Sequence, residues 1–460
     1  MVLRACKRRT KNFTLTEERD YSTIGLYQCA TSEASTSTSF GPPFFTLLEL
    51  PVPLLHDILS RLPLLDILKC RCICKTFIKL LKDPYFSRIH LSNAPTLRTN
   101  LILQKNIGTR RIFETFTFDL NESTVSSCRS SFDCEKNLNN TRPSIRNGLP
   151  ELSKVNSEFS FRANGLTLIG SCNGLLCFYC ARPLRPFYMI CNPILGERLK
   201  LPQLANPSAL YTYENSSSFF GYCASTKRYK VVSFMWLIFT DNLHFEYSKE
   251  MVAYVHTLGW GSWRRVDNPT CPRKNSLDPL LTDTLHWIND TEKPSEIIGS
   301  FDLEREKFGF ISPPVHFNSQ YVSKLPWLNV SVLRGCLCIF YMYEDSLFDV
   351  WVMGEYGVRE SWTKEFSIDM KFYCRLRVED LYRPVKLFGN GDLWFISSLN
   401  SLVCFCPRKR TFKELRSIKP WKFELTAHDL SFVSLKDVVG KKYREVQNFR
   451  IRRRELMFDL

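Results

Sequence analysis

No stretch of the 460-residue chain is apolar for the ~20 residues a bilayer-spanning helix needs; the longest apolar run, Val231–Phe239, is interrupted by Ser233. The apolar core of a secretory signal is also missing, since Met1 is followed by Arg4, Lys7, Arg8 and Arg9. These absences predict a cytoplasmic and/or nuclear protein without membrane contact, whose 18 cysteines are reduced. Catalytic signatures are lacking as well. There is no G-x-S-x-G elbow, Walker loop, H-E-x-x-H or G-x-G-x-x-G. The expectation is a non-catalytic protein with no cofactor.

Zinc is unlike the cysteine pattern. Cys177-Phe-Tyr-Cys180 is the one C-x-x-C, and no second pair or His pair follows at finger spacing. Cys70 and Cys74 are placed on one helix face with Cys72 pointing away, while Cys336/Cys338 and Cys404/Cys406 lie in strand-like runs. Unpaired thiols bury readily, so these residues are assigned to core packing and no metal is expected.

The formal charge of +16 raises nucleic acid as a partner, but clustering decides that question. Residues 1–40 carry a net +2 and residues 435–460 a net +4, including Arg452, Arg453 and Arg454. The rest is scattered, so no nucleic-acid partner is expected. The C-terminal run is compatible with a nuclear-import signal or a binding patch.

What the chain has in quantity is aromatic residues: 35 Phe, 18 Tyr and 9 Trp. Such side chains suit pleated, half-buried surfaces. The chain divides into a polar leader expected to be disordered (1–46), a helical block (47–92), a strand-rich region (100–435) and a basic tail (436–460). Within the third region, Asn121–Asn147 is a candidate long loop.

In the helical block, Leu50, Leu54, Leu55, Ile58, Leu59 and Leu62 recur at three-four spacing on one predicted helix face. Pro51 and Pro53 suit a first turn, Pro63 ends the helix, and Asp83-Pro84 stops the pattern that Ile67, Leu68, Ile73, Phe77, Leu80 and Leu81 continue. About 45 residues make a small core, so part of this apolar surface is expected to be buried by a partner or against the rest of the chain.

Leu50-Pro51, Leu54, Asp57–Pro63, Leu68–Phe77 and Asp83–Phe86 together resemble an F-box, with Phe77 where that family more often has Trp. The resemblance implies docking on a Skp-type adaptor and, through it, a cullin–RING ubiquitin ligase. It assigns adaptor contacts to Leu50, Pro51, Leu54, Ile58, Leu59, Leu62, Pro63, Leu68, Ile73 and Cys74.

The strand-rich region repeats. Units open near Asn173, Gly221, Thr284, Gly335 and Gly391, at steps of 48, 64, 51 and 56 residues. A period near fifty is kelch-like, and runs such as Cys336–Tyr343 are apolar at every position, as strands buried on both faces are. The fold class predicted is a small all-α module followed by a large all-β domain, an irregular kelch-like β-propeller of about five to seven blades. A β-sandwich is the alternative.

Asn173-Gly174-Leu175, Asn192-Pro193, Gly221-Tyr222, Tyr229–Val232, Ser262–Arg264, Leu285–Trp287, Phe301–Leu303, Val350–Met353, Glu355–Val358 and Ser361–Lys364 carry a further resemblance. They are similar to the F-box-associated interaction domain of land-plant proteins of the S-locus F-box type, and Ser434-Leu435 after His428 echoes its last strand. Cys191 and Thr284 depart from that pattern, where Trp and Gly are usual. The order of the two modules implies a substrate-recognition subunit of an SCF (Skp–cullin–F-box) ligase that binds an unknown target protein. The alternative is an F-box protein outside the ligase, using the propeller to bind protein or glycan.

Overall fold

The computed structural model describes residues 49–457 except 63, 71–72, 94–97, 108–109, 120–156, 163–165, 182–185, 205–210, 241–246, 274–279, 316, 318–327, 344–346, 370–381, 388–391, 398–400, 408–410, 418–422, 441–444, 449–450 and 453–454. The expected leader and the expected loop over 121–147 lie outside the described residues.

Four helices come first: α1 (Val52–Ser60), α2 (Leu64–Cys70), α3 (Lys75–Leu81) and α4 (Pro84–Ser92). Cys70 and Cys74 do not share a helix. The first ends α2, and the second is the extended residue before α3, although both pack on the same helical core. Asp83-Pro84 ends one helix and also starts another. The Asp83 carboxylate accepts from Tyr85 N–H at 2.9 Å, and Pro84 occupies the first turn, where its missing N–H costs nothing. Among the described residues no helix is long and apolar enough to cross a membrane.

Among the described residues after 97, the chain is built mainly on β-sheets. Four sheets are antiparallel meanders of consecutive strands, beginning with Tyr211–Cys223, Leu280–Leu281, Asn329–Leu333 and Tyr382–Leu387. A fifth holds Leu166–Cys172, Leu175–Cys180, Phe187–Asn192 and Glu197–Lys200, with Gln447–Asn448 on its edge. The sixth joins distant parts of the chain. Phe423–Ala427 pairs antiparallel with Arg98–Ile107, which continues through Arg110–Asp119 to Ser157–Arg162.

The sheets form a ring. Leu166–Cys172 lies against Tyr211–Cys223, that strand against Thr284–Ile288, and that one against Asn329–Leu333. A shared core of Phe340, Phe348, Phe395 and Phe405 joins the next two sheets, and Phe423–Ala427 touches both Tyr382–Leu387 and Leu166–Cys172. Among the described residues these six sheets close into a six-bladed β-propeller, sealed where its two ends pair, with blades counted in chain order from the sheet of Arg98–Ile107.

Aromatic packing between blades accounts for the composition. Phe219 stacks on Trp287 at 4.9 Å and 20°, and Trp351, Trp362 and Trp394 are buried. Paired hairpins use left-handed residues at Asn173-Gly174 (φ 49° and 79°) and Arg334-Gly335 (φ 49° and 77°), a turn whose twist matches its strands.

Part of the basic tail is described. Leu435–Val439 forms a short helix, α5, with both end residues buried, because Leu435, Val438, Val439 and Val446 add to an apolar cluster under the second and third blades. Glu455–Met457 then pairs in parallel with Ser157–Arg162.

Candidate functional site

Helix α1 is apolar on more than one side. At 100° per residue, Leu55 and Leu59 share one face, and Leu54 and Ile58 share another about 100° away. The first pair is 2% and 1% exposed, in a core with Ile67, Phe77, Leu80, Leu81 and Phe86. The second pair is 52% and 39% exposed. The single apolar face expected from the spacing is therefore two faces, one closed by the chain itself and one left open. Asp57 and Arg61 flank the open face as an exposed i,i+4 ion pair at 3.0 Å, a contact worth little to stability.

The residues assigned to adaptor contact by resemblance divide accordingly. Pro51, Leu54, Ile58 and Ile73 are exposed. Leu50, Leu62, Leu68 and Cys74 are partly buried, with one side against the helical core. Leu59 is placed inside that core, and Pro63 is outside the described residues. Val52 at 50% and Tyr85 at 48% are exposed apolar side chains that the spacing did not single out. Val52 was legible as the apolar residue beside the Pro51 start. Tyr85 was hidden because the apolar spacing was followed only to the stop at Asp83-Pro84.

Groups elsewhere that invite a chemical reading are occupied structurally. Glu306 accepts from Lys230 Nζ at 2.7 Å and Arg264 Nη2 at 2.6 Å, tying the third blade to the fourth. Burial alone would raise its carboxyl, but hydrogen bonds and charge from those two cations hold it below the usual carboxylate range. Glu304 is exposed. His286, buried, shares a hydrogen bond with Tyr356 Oη at 2.7 Å across two blades.

Cys177 and Cys180 sit three apart on one strand, so they face opposite sides of the sheet and enter different clusters. One metal cannot take both. Burial pushes the Cys172 and Cys338 thiols up to about 12 and raises Cys177 well above its ordinary value, opposite to what a nucleophilic thiolate requires. Among the described residues no three His, Cys, Asp or Glu side chains are grouped to hold a metal. The feature with the form of a binding site is thus the open face of α1.

Comparison with known proteins bears on both modules. Residues 47–89 match the F-box domain family, an adaptor-binding module of Skp–cullin ligases, and residues 116–411 match the F-box associated beta propeller domain. These are receptor-type modules, not catalytic families. F-box protein At3g07870 of Arabidopsis thaliana is 25% identical over 407 residues, 80% of this chain and 87% of that protein. F-box protein CPR1 of the same plant is 25% identical over 411 residues, covering 84% and 85%. The F-box/kelch-repeat protein At3g23880 is 25% identical over 329 residues, covering 70% and 79%.

Proposed function

The chain belongs to the F-box proteins that carry an F-box associated beta propeller domain, and on that premise we propose that it is the substrate-recognition subunit of an SCF ubiquitin ligase. The helical module holds the Skp-type adaptor, and the propeller holds a target protein. The observation that carries this reading is the open face of α1. Leu54 and Ile58 remain half in water on a module whose other apolar face is already closed. Burying such a side chain fully is worth about 1.5–3 kcal/mol, so an apolar partner surface gains by covering both.

The chemistry this asks of the chain is positional. Holding a target lysine near a ubiquitin thioester on the assembled ligase replaces a bimolecular encounter with a local one, and the effective concentration rises without a reacting group here. No residue of this protein then needs to act as nucleophile or base.

Co-purification of the full chain with a purified Skp-type adaptor tests the reading. A stable stoichiometric complex is expected. Failure of the folded chain to retain the adaptor would place it outside the ligase.

A further inference from the structure

The helical core does not end with the helices. Ile194, Leu430 and Phe432, all from the β domain, are 3%, 6% and 3% exposed and belong to the same cluster as Leu55, Leu59 and Phe86. Phe432 lies 5.7 Å from the Phe86 ring and meets the His90 ring edge-on at 5.2 Å. These three residues come from two segments. Ile194 sits in the turn between Phe187–Asn192 and Glu197–Lys200, and the other two lie just beyond the ring-closing strand Phe423–Ala427.

One buried side chain sets both segments. The Asn192 Oδ1 accepts from Ile194 N–H at 2.8 Å and Leu195 N–H at 3.1 Å, shaping the turn. Its Nδ2 donates to Ser431 O at 3.1 Å and Val433 O at 2.7 Å, on either side of Phe432. All four hydrogen-bonding positions of a fully buried amide are thereby used on the two strips of backbone that present the apolar contacts.

Neighbouring bonds fasten the same strip. Ser431 Oγ donates to Asn173 O at 2.6 Å, and Leu435 N–H donates to Glu197 Oε2 at 2.7 Å. A side chain at Gly174 (φ 79°) would drive its Cβ into Ser431 Oγ, so the hairpin and the strip are in contact. The Asn173-Gly174, Asn192-Pro193 and Ser434-Leu435 segments, far apart in the chain, converge on this one place.

We propose that the β domain completes the fold of the F-box, and that Asn192 and Phe432 are positioning residues that keep its adaptor-docking face ordered before any adaptor is bound. A helical module of this size has too small a core to hold itself firmly. The apparent affinity for an adaptor falls by whatever fraction of the module is disordered, so completing the core in advance removes that loss. The affinity half of the inference rests on the adaptor-docking reading; the ordering half does not.

Hydrogen exchange on the full-length protein without adaptor tests the ordering half, comparing wild type, Phe432→Leu and Phe432→Ala. Amides of α1, α3 and α4 are expected to exchange about tenfold faster or more in Phe432→Ala and by less in Phe432→Leu, with the strands of the third to fifth blades unchanged. Unchanged exchange in the helices would overturn the proposal, as would equal acceleration in helices and blades, which would make Phe432 part of the propeller core. Adaptor titration of the same proteins is expected to show affinity falling about tenfold in Phe432→Ala. Normal affinity with disordered helices would overturn the affinity half. If wild type binds no adaptor while its helices still depend on Phe432, the ligase reading fails and the ordering half stands.

Discussion

Replacing Leu54 and Ile58 together by Asp is expected to abolish adaptor binding and leave the fold intact. Both side chains stand on the open face of α1, at 52% and 39% exposure, so the free protein loses only part of their packing when they change. In a complex the same positions would be central, apolar and desolvated. Two such anchors contribute about 2 kcal/mol each, and a buried unpaired carboxylate adds a further cost. The loss is expected to be about a thousandfold or more in Kd, read by calorimetric titration. Circular dichroism should keep its native form, and the thermal midpoint should fall by only a few degrees. Leu59→Asp is the opposite case. At 1% exposure, its charge would enter the helical core, and α1–α4 should lose their structure before any question of binding arises.

The second large effect is acid sensitivity. His90, His256 and His428 are buried, and burial depresses their imidazoles to about 4, about 4 and about 3 from an ordinary 6.5. Each has a ring nitrogen without a hydrogen-bond partner, so a proton placed there would be poorly received. A His held below its unfolded pKa binds fewer protons when folded than when unfolded. Its contribution is fully present above pH 6.5 and is lost as pH falls from there towards the folded values. Each group costs about 1.4 kcal/mol per pH unit in that window, so three cost about 4 kcal/mol per unit. A domain of ordinary stability, about 5–15 kcal/mol, cannot lose that for long.

Urea midpoints followed by tryptophan fluorescence should therefore be level from pH 8 to 7 and fall steeply between pH 6.5 and 5. Depressed carboxylates do not explain a fall in that range. Glu306 and Asp283 are held below their ordinary values of 4.5 and 3.8, so their stabilisation is lost as pH falls through and below those values, beneath the imidazole window. Midpoints that stay level down to pH 5 would show that the three imidazoles accept protons in the folded state.

Much of this architecture was legible because its signals are local. Asn173-Gly174 and Arg334-Gly335 mark hairpins, and the five units read from the sequence each fall within a separate blade. The first blade, which none of those units covers, escaped for a physical reason. Its strands are Arg98–Ile107, Arg110–Asp119, Ser157–Arg162, Phe423–Ala427 and the short Ile451–Arg452 and Glu455–Met457, so no repeat spans it, and pairing across more than three hundred residues leaves no period. The buried Trp and Cys residues went to blade packing as their types suggested, whereas Trp260, at 51% exposure, did not.

The candidate site was half legible. Three-four spacing identified the apolar residues of α1 but could not say which of two adjacent faces the chain would close for itself. Ile194, Leu430 and Phe432 made that choice, from sequence positions more than a hundred residues away. The same place orders Leu435–Val439: Glu197 accepts from the Leu435 N–H, and Leu435 and Val439 join the cluster on which Val433, next to Phe432, also packs.

The most direct test of the central claim is a hydrogen-exchange footprint of purified Skp-type adaptor on the full-length protein. Complex formation is expected to slow exchange in α1 and around Ile73, and to leave the blades as they were. Protection on the propeller with none on α1, or no protection anywhere under conditions that saturate other F-box proteins, would contradict an adaptor-docking role for the open face of α1.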